Sequence, residues 1–162
     1  MTGNNEQLTS NNEESEMVFI EQQIVDAVRK LLTEKVNEKL NNWNFFFPLI
    51  EFSAYKGASA ITPVISLSSC ELTEKERIVR QEAYTLTISF SVPETADSEL
   101  SCYAYATAFG IVLDKDVTLG GVVDRAVITN KKYVPPKKPN CGMEWETIIS
   151  LRITVEGKNY AC

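Results

Sequence analysis

The sequence predicts an α+β fold: a single domain with a mainly antiparallel (mixed) sheet of four to five strands and two helices packed on one face. Three observations carry this. Ile20, Ile24, Ala27, Val28, Leu31, Leu32 and Val36 recur at steps of three and four, with charged residues between them, which is the period of an amphipathic helix. Tyr84, Leu86, Ile88, Phe90 and Val92 alternate with Thr85, Thr87, Ser89 and Ser91, which is the period of a strand with one buried face. Strands come in runs between the helices rather than in strict alternation with them, so a doubly wound parallel sheet is excluded.

A chain of 162 residues with 44% hydrophobic residues fits one core. A domain of that size buries about 68 to 70% of its unfolded surface and needs neither disulfide nor metal to stand. The net charge of -6 is uneven: residues 1 to 16 hold Glu6, Glu13, Glu14 and Glu16 and no base. That segment is Asn, Glu, Ser and Thr with almost nothing apolar, so it reads as a disordered acidic leader ahead of a domain spanning 17–162. The nearly balanced body lacks the basic footprint of a dedicated nucleic-acid binder. The longest apolar run, residues 103–113, is too short for a membrane span.

The first helix is expected over about 20 to 40, stopped by "NNWN" and by Pro48. Residues 48–55 alternate weakly. In "AITPVISLSSCEL", Ile61, Ile65 and Leu67 share one parity, and Pro63 places this strand at an edge or marks its start. "ELTEKERIVRQE" is charge-rich and reads as the projecting end of a hairpin, with the clear strand following it. A second helix starts near Pro93 and Thr95, has Asp97 and Glu99 at its positive end, and runs to about Leu113. Its expected packed face is Leu100, Tyr103, Ala104, Thr107, Ala108 and Ile111. "VVDRAVIT" is a strand candidate, and "KKYVPPKKPNCG" reads as a proline-stiffened loop. The last strand sets Ile149, Leu151, Ile153 and Val155 opposite Ile148, Ser150, Arg152 and Thr154.

"TLGGVVDR" has the glycines of a phosphate loop but neither the third glycine nor the lysine that such loops need, and a β-branched run follows. It is therefore expected to be a tight turn after the second helix, with Gly120 or Gly121 in a backbone conformation closed to other residues. Asp124 and Arg125, as strand neighbours, point to opposite faces and each require a partner elsewhere.

Histidine is absent, which removes the commonest general base and the usual activator of Ser or Cys. Cys70, Cys102, Cys141 and Cys162 show no CxxC spacing, so free thiols are expected and no metal site. Glu71, Glu74, Glu76 and Glu82 cluster, yet Lys75, Arg77 and Arg80 are interleaved with them, as on a solvated or interface surface. Lys131, Lys132, Lys137 and Lys138 are the basic concentration, with Arg125 nearby and no acid between 125 and 140. Neither a catalytic residue nor a cofactor is assigned.

The run "TLGGVVDRAVITNKKYVPP" after a short helix, followed by "MEWETIISLRITVEG", resembles the tail terminator (tail completion) proteins of long-tailed bacteriophages and prophages. "PVISLSSCELTEKERIVRQEAYTLTISFSV" and the amphipathic helix before it agree in element order. The resemblance spans residues 17 to 157. It implies a non-enzymatic structural protein of the virion. Copies would form a hexameric ring on the last ring of the major tail tube protein, stop its growth and present a surface to the head-completion (stopper) protein. The site of action would be the host cytoplasm during assembly and then the head-proximal end of the tail. On that reading the candidate subunit and tube contacts are Glu74, Glu76, Arg77, Arg80, Asp124, Arg125, Lys131, Lys132, Lys137 and Lys138. The lysines are expected near the lumen, where DNA passes, or at the tube junction. Alternatives are another head-tail connector or minor tail protein, a non-viral soluble binding module, and, least favoured, an enzyme.

Overall fold

A computed structural model describes residues 19–44, 47–52, 60–74, 80–93, 95, 97–138 and 143–156. The leader expected over 1–16 lies outside the described residues. Helix α1 (Ile20–Lys30) passes through a π-helical turn (Leu31–Val36) into α2 (Asn37–Asn42) without a break in the chain's course. The apolar stripe is buried as its spacing requires: Ile24, Val28, Leu31, Leu32, Val36 and Leu40 all lie in the core. Within the widened turn the Thr33 hydroxyl donates to Arg29 O at 3.0 Å, the back-bonding that hydroxyl residues make inside helices. The helix stops where "NNWN" predicts: Asn44 takes φ 56 and donates its N–H to Asn41 O.

Four strands form an antiparallel sheet in the order β3-β4-β6-β5: β3 (Val64–Glu74), β4 (Arg80–Pro93), β5 (Arg125–Val134) and β6 (Glu144–Glu156). A separate two-stranded parallel sheet joins β1 (Leu49–Ile50) to β2 (Ala60–Ile61). The fold is thus the expected α+β domain. Tyr84, Leu86, Ile88, Phe90 and Val92 face the core from β4, and Ile149, Leu151, Ile153 and Val155 face it from β6. Register joins the two sets, with Ile88 opposite Ile149, Leu86 opposite Leu151 and Tyr84 opposite Ile153. Pro63 immediately precedes β3, an edge strand, where a missing N–H disturbs nothing.

Helix α3 (Ser98–Lys115) covers this face beside the first helix. It begins at Ser98, whose hydroxyl donates to Pro93 O at 2.7 Å, while Asp97 at the N-cap makes no side-chain cap bond. Its buried face corrects the sequence reading. Ala104 and Ala108 are buried as expected, but Leu100, Tyr103 and Thr107 are exposed, and Cys102, Tyr105, Phe109 and Val112 point inward instead. The helix is apolar nearly all round, so hydrophobicity alone does not choose a face. Aromatic packing does, since Tyr105 stacks on Phe90 with centroids 5.3 Å apart and planes 6° apart. The Tyr105 hydroxyl donates to Pro48 O at 2.5 Å and anchors the segment that leads into β1.

The glycine motif is a turn, as expected. Leu119, Gly120 and Gly121 have φ of 51, 70 and 88 in succession. Asp116 accepts the Gly120 N–H at 3.0 Å, and Thr118 O accepts those of Gly121 and Val123, both at 3.1 Å. Leu119 tolerates its left-handed backbone while its side chain is buried beneath the turn.

Candidate functional site

The two edge strands differ in charge. On one side β3 carries Glu71 and Glu74 and no base; on the other β5 carries Arg125, Lys131 and Lys132 and no acid. Among the described residues neither outer edge is paired with another strand. Lysines on an edge are a common device against indiscriminate pairing.

The expected loop from Lys131 to Lys138 is corrected here. Lys131 and Lys132 belong to β5, paired with Ile149 and Ile148 of β6, and only Lys137 and Lys138 follow the strand, both exposed. An edge strand needs one ladder of backbone bonds and leaves its long side chains in water, so consecutive lysines do not interrupt it. Lys131 lies on the helix side, where its Nζ comes 3.5 Å from the place a Cβ on Gly110 would occupy; the missing side chain leaves room for it. Lys132 is on the opposite, helix-free face. Tyr133 meets Tyr103 of α3 edge to face at 5.0 Å, and Tyr103 donates to Glu99 Oε1 at 2.6 Å.

Asp124 and Arg125 also separate. Asp124 sits just before β5 rather than within it: its N–H donates to Thr154 O at 3.0 Å and its Oδ2 accepts the Glu156 N–H at 2.6 Å. It clamps the entry to the strand. Arg125 opens β5 as an exposed side chain.

At the other edge the structure shortens the expected hairpin tip, because β3 continues to Glu74 and β4 starts at Arg80, opposite it. Arg80 is exposed. Glu76 and Arg77 lie outside the described residues. Glu82 is not part of a solvated acid cluster: it is 4% exposed. Its carboxylate accepts the Tyr84 hydroxyl, and the Cys70 thiol lies 3.5 Å from the same oxygen. Burial, reinforced by the bond to Glu82, raises the Tyr84 pKa far above its ordinary value. Burial also raises the Cys70 thiol, so it stays protonated at neutral pH and is a poor nucleophile. The alternation of β4 does place Glu82 on the core side with Tyr84 and Leu86; its spacing was the signal for burial.

The helix-free face of the sheet is rich in hydroxyl side chains, with Val64, Val127, Ile148 and Arg152 among them. It presents Ser66, Ser69, Thr85, Thr87, Ser89, Ser91, Ser150 and Thr154 by register. Each edge strand is bulged, at Ser68 and at Thr129, and both hydroxyls donate inward, to Thr85 O and Ser150 O, each at 3.2 Å. A groove of about 320 Å³ lies between the first helix and the end of α3, with Lys35, Lys39 and Lys115 beside Glu38 and Asp116. Asp116 is already engaged with Gly120, so no pair of free carboxylates converges there. Among the described residues no three of His, Cys, Asp or Glu are grouped to hold a metal, and no helix is long and apolar enough to cross a membrane.

No protein-family model matches the chain, and a search of curated proteins finds no match.

Proposed function

We propose that this chain is a phage tail terminator: copies form a hexameric ring on the tail tube, stop its polymerisation and offer a surface to the head-joining protein. The observation that carries this reading is the opposite charge of the two edges of one small sheet. A surface that is acidic on one side and basic on the other favours contact between unlike sides, and a contact between unlike surfaces generates a ring when its rotation closes. Element order and the motifs "TLGGVVDR" and "MEWETIISLRITVEG" support the same reading. The work is mechanical, requiring complementary surfaces and no bond chemistry. Within the ring Lys137 and Lys138, at the end of β5, would face the tube junction or the lumen.

Deleting the gene from its phage and imaging the particles tests this. Tails of uncontrolled, excessive length are expected. Tails of normal length would refute it.

A further inference from the structure

We propose that neighbouring copies of this chain join by backbone pairing of β5 in one copy with β3 in the next, so that the sheets merge into one continuous antiparallel belt. This rests on the ring reading above in one respect, that copies of the chain meet each other. Strand direction alternates across the order β3-β4-β6-β5, every neighbouring pair being antiparallel. Consequently β3 and β5 run in opposite directions, and a copy set alongside in the same orientation brings β3 against β5 with the antiparallel alternation unbroken. Their lengths match, at 11 and 10 residues.

Register aligns the charges. Glu71 lies opposite Ala83, Ala83 opposite Thr154, and Thr154 opposite Arg125, so the row that starts at an acid on one edge ends at a base on the other. Glu71 and Arg125 are both exposed and share the helix-free face. Placed side by side along that row, Glu71 of one copy becomes the cross-strand neighbour of Arg125 in the next, a favourable opposite-charge pair. The bulges agree as well. Leu67, Leu86, Leu151 and Ile128 form one row, and the extra residue follows it on both edges, Ser68 after Leu67 and Thr129 after Ile128. Because the two strands are antiparallel, the extra residues fall on opposite sides of that row, and one-to-one pairing from Glu71 and Arg125 sets Ser68 against Ile128 and Leu67 against Thr129, so the two insertions offset each other and Ser66 again meets Asn130.

Like edges are kept apart by the same charges. Two β3 edges would bring the Glu71 carboxylates of both copies to one seam, and two β5 edges would bring Arg125, Lys131 and Lys132 together. A symmetric dimer through either edge is disfavoured, and the unlike contact is selected.

The test is sedimentation velocity of the full chain across a concentration series, at low and high salt, for the wild type, Glu71→Lys, Arg125→Glu and the double variant. Self-association is expected for the wild type, weaker in high salt. Each single variant should lose it by at least tenfold in concentration, and the double variant, with its charges exchanged, should recover it. Circular dichroism checks that all four fold, and both sites are exposed. Hydrogen exchange should slow in Val64–Glu74 and Arg125–Val134 together as the wild type associates. A wild-type chain that stays monomeric at every concentration, single variants that associate normally, or a double variant as defective as the singles overturns the contact. Charge-swap recovery combined with tails of normal length after gene deletion would keep the contact and remove the terminator reading. Long tails after deletion, cured by the Glu71→Lys chain, would do the reverse.

Discussion

The Asn37 carboxamide brackets the backbone of Ile50, accepting its N–H at 2.8 Å and donating to its carbonyl at 2.9 Å. A side chain on α2 thereby supplies the two bonds that a neighbouring strand would give. It holds β1 against the helix, where Ile50 is buried. Other ties hold the same segment: Tyr105 holds Pro48 by its carbonyl, the Thr62 hydroxyl donates to Glu51 O at 2.8 Å, and Arg29 lies over the Phe52 ring at 5.5 Å.

Removing the bracket leaves both Ile50 groups without their partner in a part-buried place. Asn37→Ala is expected to lower the unfolding free energy by about 1–3 kcal/mol, the range for stranding a buried polar group. Urea denaturation measures it. Asn41→Ala, an exposed position on the same helix, should stay within about 0.5 kcal/mol of wild type. Equal effects at the two positions would show that general helix weakening, not the bracket, sets the loss.

The turn after α3 isolates a backbone effect. No heavy atom lies within 4 Å of where a Cβ on Gly120 or Gly121 would sit, so any cost of alanine there comes from the positive φ alone. Gly121→Ala is expected to destabilise by roughly 1–2 kcal/mol, the cost of a left-handed backbone for a residue with a Cβ. Gly110→Ala is the contrasting case: its φ is not in that region and the new methyl would meet the Lys131 chain at ordinary contact distance. Thermal melts of the two variants compare them directly, and a Gly121→Ala chain as stable as wild type would mean the turn relaxes to another conformation.

Periodic features were legible in the sequence and cooperative ones were not. The alternation of Tyr84 to Val92 and of Ile149 to Val155 specifies the two inner strands, because in each one face is buried and a slip of one residue would turn every side chain to the wrong side. The glycine turn was legible because positive φ restricts residue choice. The buried face of α3 was not, since its apolar residues surround the helix and the choice is made by Phe90 and Pro48, distant in sequence. The parallel pairing of β1 and β2 is two residues long on each side, too short to carry a period, and is positioned by Asn37. The charged candidates were found as residue types, but only the sheet order shows that acid and base occupy opposite edges. Asp124 has the partner elsewhere that the sequence required, but which one it is, the Glu156 N–H across the sheet, no local pattern reveals.

Buried protonated groups make the fold sensitive to alkali. Burial raises the pKa of Tyr105 and of the Cys102 thiol, and burial with the bond to Glu82 raises that of Tyr84. In the unfolded chain the thiol titrates near its ordinary value of 9.0 and the phenols near 10.0. Above those values the unfolded state binds fewer protons than the folded one, so stability falls as pH rises and is fully present below them. Each group contributes a slope of about 1.4 kcal/mol per pH unit within its window, which opens at the unfolded pKa and closes at the raised folded one. Urea midpoints measured from about pH 8 to 11 should therefore be level at first and then fall with growing steepness. Tyr105→Phe separates the terms. Losing the bond to Pro48 O should lower stability at neutral pH by about 1 kcal/mol, while the slope above pH 10 becomes shallower by the share of one phenol. Curves for wild type and Tyr105→Phe that run parallel through the alkaline range would show that Tyr105 ionises as freely in the folded chain as in the unfolded one.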